Sequence, residues 1–586
     1  MAARQGVQGL GGERAPATDK RATVEDRSQF VLTVCAVRGP RKDNAVDAER
    51  TMDIAHSVAE ILNEHVTLEV ECIDQMYLNL CVPRLQYETG VVGFFREHRG
   101  HQFASSALMA PMTTAFVEAI ENHAELFGIP LITFGKGERK DDIAKERLAR
   151  FEGEEGVVFI GKAQEKTPLL RTTKRRNATT GQSYAWLTRS TGMVNHYYFY
   201  ILDRDFGPLF IKLCSYFPYT GKVCLNGHEW AKRQLDKRGI PYTALDNGIE
   251  SCAEPKRLQA ICDGLGARQI ETVVRKWLGQ IPSPFRRADR DAGYRYQLSI
   301  LQAEFALTQV LDRPVTGRLF FEQVIRDNLD LGRPDRVQLI FERRVTKRTP
   351  GRFRTRVLTT GVIPTLHVSY KRNDIKQYHK EGRGLRTETT INNTRDFGIG
   401  KRLQNLAALR QVGFQANRRL LSVEHVSHDC HIGEAAWTDL TQPKAIDGQR
   451  VSALHFDDPR VQALLCALVH LHLMPTGFRN SDLRQYWAPL LGKAPSDITP
   501  GSMSYQLRRL RLRGIIARVP KSNRYCVTDL GLRTALFFTR TLSRLLRPGL
   551  SIVLPHAPPG NHRLRRDFDR LQATIDDLIR EAKLAA

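Results

Sequence analysis

Met503-Ser-Tyr-Gln-Leu507-Arg-Arg-Leu510-Arg-Leu-Arg513 places Met503, Leu507 and Leu510 at helical spacing and gathers Arg508, Arg509, Arg511 and Arg513 on the other face. Pro500-Gly501-Ser502 opens this helix and Gly514 is placed to stop it. Upstream, the apolar run Val461–Met474 follows Asp458-Pro459, an N-cap with a proline in the first turn, and ends at Pro475. A shorter amphipathic segment, Ser481–Leu491, carries Trp487 and ends at Gly492. Downstream, Ile515–Val519 and Arg524–Thr528 alternate as two short strands around Pro520-Lys521-Ser522-Asn523, and Asp529-Leu-Gly-Leu leads into another helix.

This order over residues 458–548 (helix, helix, arginine-faced helix, basic hairpin, helix) resembles the winged-helix domains of the MarR and ArsR families. The resemblance implies a DNA-binding unit. Arg508, Arg509, Arg511 and Arg513 would lie in a major groove, with Lys521 and Arg524 of the wing on flanking phosphates. Winged helices also dock proteins, and a helix face rich in arginine is also what a solvated surface presents.

The whole chain is basic. Its 586 residues hold 88 Lys+Arg against 63 Asp+Glu, a net +25, which favours a polyanionic partner and does not distinguish DNA from RNA. Hydrophobic residues at 41% and charged ones at 26% are a globular balance, which argues against a wholly disordered chain or a membrane protein. No apolar run of about 18 residues predicts a membrane span. No apolar signal core precedes Gln29, so the expected location is cytoplasmic. The 10 cysteines are scattered without a CxxC pair, which fits reduced thiols, and no GxxxxGK[ST] loop is present.

From the N-terminus, residues 1–27 read as a flexible basic arm and 28–281 as an α/β domain. A strand is expected at Gln29–Val37, a helix over Asp47–His65 and a strand with Val66, Leu68, Val70 and Cys72 on one side, ending near Asp74. A helix over Pro111–Phe127 and a strand at Ile129–Phe134 follow. From Gly156 the chain turns strand-rich, and the basic turn Lys174–Gly181 reads equally as a phosphate-contact loop or an exposed hairpin tip.

His196–Tyr216 reads as two strands joined at Asp203-Arg-Asp205-Phe-Gly207. Two carboxylates two residues apart at a strand end can share Mg²⁺ or Mn²⁺, and Asp74 could complete a site for phosphodiester chemistry. Asp and Gly are equally the residues that a hairpin turn requires.

After Ile281-Pro-Ser-Pro-Phe285, a second, basic α+β body is expected over 286–436. It starts with helical patterns at Tyr296–Leu311 and Leu319–Leu329, followed by a strand at Arg336–Val345. Arg352, Arg354 and Arg356 surround Phe353 in a strand-turn-strand context suited to nucleic acid. Tyr378, His379, Lys380, Arg383, Arg386 and Glu388 then crowd into eleven positions. Lys380, Arg383 and Arg386 suit a phosphate backbone, while an acid-base role for His379 or Tyr378 lacks a visible partner. Residues 560–586 form an amphipathic pattern that could pack on the body or pair two chains as a homodimer.

The sequence therefore predicts an α/β or α+β multi-domain body with a C-terminal winged helix. Its expected function is DNA binding of a replication, recombination, mobile-element or regulatory type. The alternatives are a metal-dependent nuclease or transposase-like enzyme using Asp74, Asp203 and Asp205, and an RNA-binding protein.

Overall fold

The computed structural model describes residues 32–33, 58–135, 137–176, 179–313, 316–317, 320, 365–380, 384–428, 430, 432–446, 448–546, 570 and 573–574. Arg352, Arg354, Arg356 and Arg383, the arm 1–27 and the helical and strand patterns expected over 319–345 lie outside them, apart from Phe320; so does nearly all of 560–586. The fold is mixed α/β, built on one large sheet. Its strands, in chain order, are β1 (Leu32–Thr33), β2 (Val66–Cys81), β3 (Leu131–Thr133), β4 (Gly156–Arg176), β5 (Ser183–Asp203), β6 (Gly207–Cys214) and β7 (Gly221–Asn226). A separate small hairpin joins β8 (Tyr242–Leu245) to β9 (Gly248–Cys252), and β10 (Gln297–Leu311), β11 (Thr365–Tyr370), β12 (Asn373–Lys380) and β13 (Gly384–Ile391) return to the large sheet.

The eleven strands run in the order β1-β11-β12-β13-β10-β2-β7-β6-β5-β4-β3. Neighbours pair antiparallel except β3 with β4. Strands from the region read as a second body thus lie beside β2 in the same sheet, and Ile281 and Phe285 at the expected boundary are buried in its core. The helical pattern expected at 296–311 is instead β10. It pairs along its length with β2 on one side and β13 on the other, and this two-sided hydrogen bonding overrides a locally ambiguous apolar run.

One core joins the central strands to helices Glu88–Arg99, Ser106–Leu126, Gly227–Lys237, Pro255–Gly264 and Ala267–Gln280, with Phe94, Phe199, Phe217 and Trp277 among its large side chains. A second core takes Leu366, Val368, Ile375 and Leu385 from the sheet, Leu420 and Val423 from helix Leu406–His428, and the apolar faces of the C-terminal helices. Those helices span Pro459–His472, Asn480–Leu490, Pro500–Leu512 and Asp529–Arg540, with a hairpin of Ile516–Arg518 and Tyr525–Val527 between the last two. Asp458, Thr499 and Thr528 cap three of them by accepting from Arg460, Ser502 and Gly531 N–H groups at 2.8, 3.2 and 3.0 Å. Among the described residues no helix is long and apolar enough to cross a membrane.

Candidate functional site

Three carboxylates meet on adjacent central strands. Between the pairs Met76↔Ala303 and Ile73↔Phe305, β2 places two residues, Asp74 and Gln75, opposite the single Glu304 of β10. Such a bulge re-aims a side chain out of the regular alternation. On the other side of β10, Glu388 of β13 faces Ala306, two residues from Glu304 and on the same side of the sheet. One oxygen from each of Asp74, Glu304 and Glu388 consequently lies within 4.8 Å of the others.

The surroundings are half neutralising, half repulsive. Arg386, fully buried, sits 3.5 Å from Asp74, donates to the Asn247 carbonyl at 2.6 Å and contacts His228 Nε2. Burial first, then Arg386, holds the His228 imidazole well below its ordinary pKa, so it is neutral and accepts from that guanidinium. Asn247 Nδ2 donates to Asp74 at 2.7 Å, Tyr378 Oη to Glu388 at 3.2 Å and Gln302 Nε2 to Glu304 at 2.8 Å. Burial, reinforced by Glu388 and Asp74, pushes Glu304 up to about 7. Glu388 is likewise raised, by burial and by Asp74. An oxygen-only donor set with mutual repulsion fits a hard divalent cation such as Mg²⁺ or Mn²⁺, which would relieve that repulsion.

Asp203 and Asp205 do not join this cluster. Asp203 is separated from Asp74 by three strand spacings across β5, β6, β7 and β2, about 14 Å. Its Oδ1 accepts from the Asp205 and Phe206 N–H groups at 2.8 and 3.0 Å, and its Oδ2 accepts from Lys276 Nζ and Trp277 Nε1, both at 2.8 Å. Asp205 is exposed and pairs with Lys237. The two acids build the turn and anchor it to helix Ala267–Gln280. Glu304 carries no acid signal in the sequence because its segment reads as a helix, and Glu388, one of the residues crowded into 378–388, reads there as part of a basic run and not as a metal ligand.

The C-terminal cations divide by exposure. Arg509 and Arg513 are buried. Arg509 donates to the Ser452 carbonyl at 3.3 Å and to that of Ala453. Arg513 donates to Ser452 and Gln442 carbonyls at 3.0 and 2.8 Å and to that of Asp439. Ser504, Tyr505, Arg508 and Arg511 form the exposed stripe of helix Pro500–Leu512, with Tyr505 48% exposed and Arg508 donating to Gln449 Oε1 at 2.8 Å. Arg518 and Lys521 are exposed on the neighbouring hairpin, whereas Arg524 donates to the Gly477 carbonyl at 2.8 Å and secures its base. Phe478 and Tyr525 exchange backbone hydrogen bonds at 2.9 and 2.8 Å, adding a third short extended segment beside the hairpin. Gly477 permits this approach: its φ is +71°, and a Cβ there would stand 2.6 Å from the Tyr525 carbonyl oxygen.

Lys380 lies half-buried at the end of β12, and Arg386, expected on a phosphate backbone, is instead enclosed with Asp74. No protein family, curated protein or solved structure matches this chain.

Proposed function

We propose that this is a DNA-binding protein whose residues 458–548 act as a winged helix. The observation that carries the reading is the exposed stripe Ser504, Tyr505, Arg508 and Arg511, lying next in sequence to a hairpin with exposed Arg518 and Lys521. Arg509 and Arg513 are committed to backbone carbonyls, so Arg508 and Arg511 are the cations this helix offers to a groove. The net charge of +25 supports a polyanionic partner, in the role of a replication, recombination or regulatory factor. The test is duplex binding across a salt series by the Arg508→Ala, Arg511→Ala double variant. Weaker binding and a log–log salt slope shallower by about 2 are expected. A folded variant with wild-type affinity and slope removes this helix from DNA binding.

A second reading, a metal-dependent enzyme acting on phosphodiester bonds, is favoured by Asp74, Glu304 and Glu388, with Glu304 pushed up to about 7. Labelled single-stranded DNA, duplex DNA and RNA incubated with Mg²⁺ or Mn²⁺ would be cut or joined, and Glu304→Gln would abolish the reaction. Intact strands in every case leave the binding reading alone.

A further inference from the structure

The hairpin of β4 and β5 is far longer than the sheet needs. β3 leaves β4 at Lys162 and β6 leaves β5 at His196, yet pairing continues from Gln164↔Asn195 to Arg176↔Ser183. That is 13 further residue pairs, a two-stranded ribbon about 43 Å long. Its inner part is fastened to the body. Leu169, Leu170 and Leu187 are buried, Thr172 Oγ1 accepts from the Ser106 N–H at 2.7 Å, and Arg189 donates to the Gln86 carbonyl at 2.9 Å. The outer four pairs, beginning with Thr173↔Trp186, are exposed except for the half-buried Ala185.

Two properties of this outer part point to one partner. Residues 173–186 contain three cations, Lys174, Arg175 and Arg176, and no Asp or Glu. The register places Arg175 opposite Tyr184 and Thr173 opposite Trp186, so one face carries both aromatics. Tyr184 and Trp186 are 44% and 41% exposed, meet edge to face at 6.3 Å, and Arg175 lies 4.8 Å over the indole. Lys174 and Arg176 project from the opposite face. Exposed rings keep apolar area in water, and a surface without a single carboxylate suits a polyanion that also offers flat apolar faces. Unpaired nucleic-acid bases provide those faces, whereas the bases of an intact duplex are stacked on one another.

We infer that the tip of the β4–β5 ribbon is a single-strand nucleic-acid arm. Trp186 and Tyr184 stack bases, Arg175 braces the indole, and Lys174 and Arg176 hold the phosphates. The inference deepens the nucleic-acid reading and rests on it. It adds a contact for unpaired strand distant in sequence from the C-terminal helix.

The test uses the full chain with a labelled oligothymidylate and a labelled duplex, measuring affinity by anisotropy and tryptophan quenching. Trp186→Ala and the Lys174→Ala, Arg176→Ala double variant should each weaken single-strand binding about tenfold or more, with duplex affinity within about twofold. Trp186→Phe, which keeps a stacking ring, should restore most of the affinity while losing part of the quenching. Wild-type single-strand affinity in both arm variants overturns the inference and leaves duplex binding through Arg508 and Arg511 untouched. Failure of the wild-type chain to bind any nucleic acid overturns both. Equal competition by polyglutamate reassigns the tip to an acidic polypeptide and overturns the arm.

Discussion

Arg386 of β13 and Asp74 of β2 lie 3.5 Å apart with side-chain exposures of 0% and 4%, an ion pair enclosed between strands that flank β10 on either side. Removing one partner leaves the other charge without compensation in a buried site. Arg386→Met should cost about 3–5 kcal/mol in urea unfolding, and adding Asp74→Asn should return part of that loss. A change below about 1 kcal/mol in the single variant would mean that water reaches the pair.

Glu304 governs a pH dependence. Its carboxyl is held up to about 7, above the ordinary 4.5, so the native state keeps a proton that the unfolded chain releases. Its stability contribution is complete below about pH 4.5 and is lost as pH rises toward 7, an effect of about 1–3 kcal/mol. Glu304→Gln should flatten this slope, and so should saturating Mn²⁺ with wild-type protein. Glu424, fully buried and pushed up to about 8, produces a further decline toward that pH, which Mn²⁺ should leave in place. Identical pH–stability profiles with and without Mn²⁺ would exclude a cation from the three carboxylates.

The two turn acids should separate by stability. Asp203 accepts four hydrogen bonds from a buried position, so Asp203→Ala should destabilise by several kcal/mol. Asp205→Ala removes an exposed ion pair and should cost less than about 1 kcal/mol. If strand cleavage is found, Asp205→Ala should leave it intact. Its loss in that variant would restore Asp205 to the metal site.

Neighbouring arginines of the C-terminal helix should likewise differ. Arg513→Ala strands the Ser452, Gln442 and Asp439 carbonyls and should lower the thermal midpoint by several degrees. Arg511→Ala should leave the midpoint within about a degree and weaken duplex binding instead. The opposite pattern would reverse the assignment of the two faces.

What the sequence revealed followed local physics. The C-terminal helices and hairpin were legible because proline, glycine and capping residues punctuate them at short range, and the turn at Asp203–Gly207 for the same reason. Helical spacing could not tell which of four arginines were buried, because Arg509 and Arg513 are taken up by carbonyls from residues 439–453, outside their helix. The convergence of Asp74 with Glu304 and Glu388 was not legible either. It depends on strand order and on a bulge set by pairing across more than 200 residues, and β10 carries no alternation strong enough to declare itself a strand.

That pairing also constrains how the chain is made. β2 waits for β10 until about 230 residues more have been synthesised, on the order of 10–50 s at ordinary elongation rates. During that interval β7 can already cover one margin of β2, but the margin bearing Asp74 toward Glu304 has no native neighbour. The nascent chain therefore carries an unsealed seam while about 230 of its 586 residues are added, and a folding helper that shields residues 66–81 would act there before the acidic cluster can assemble.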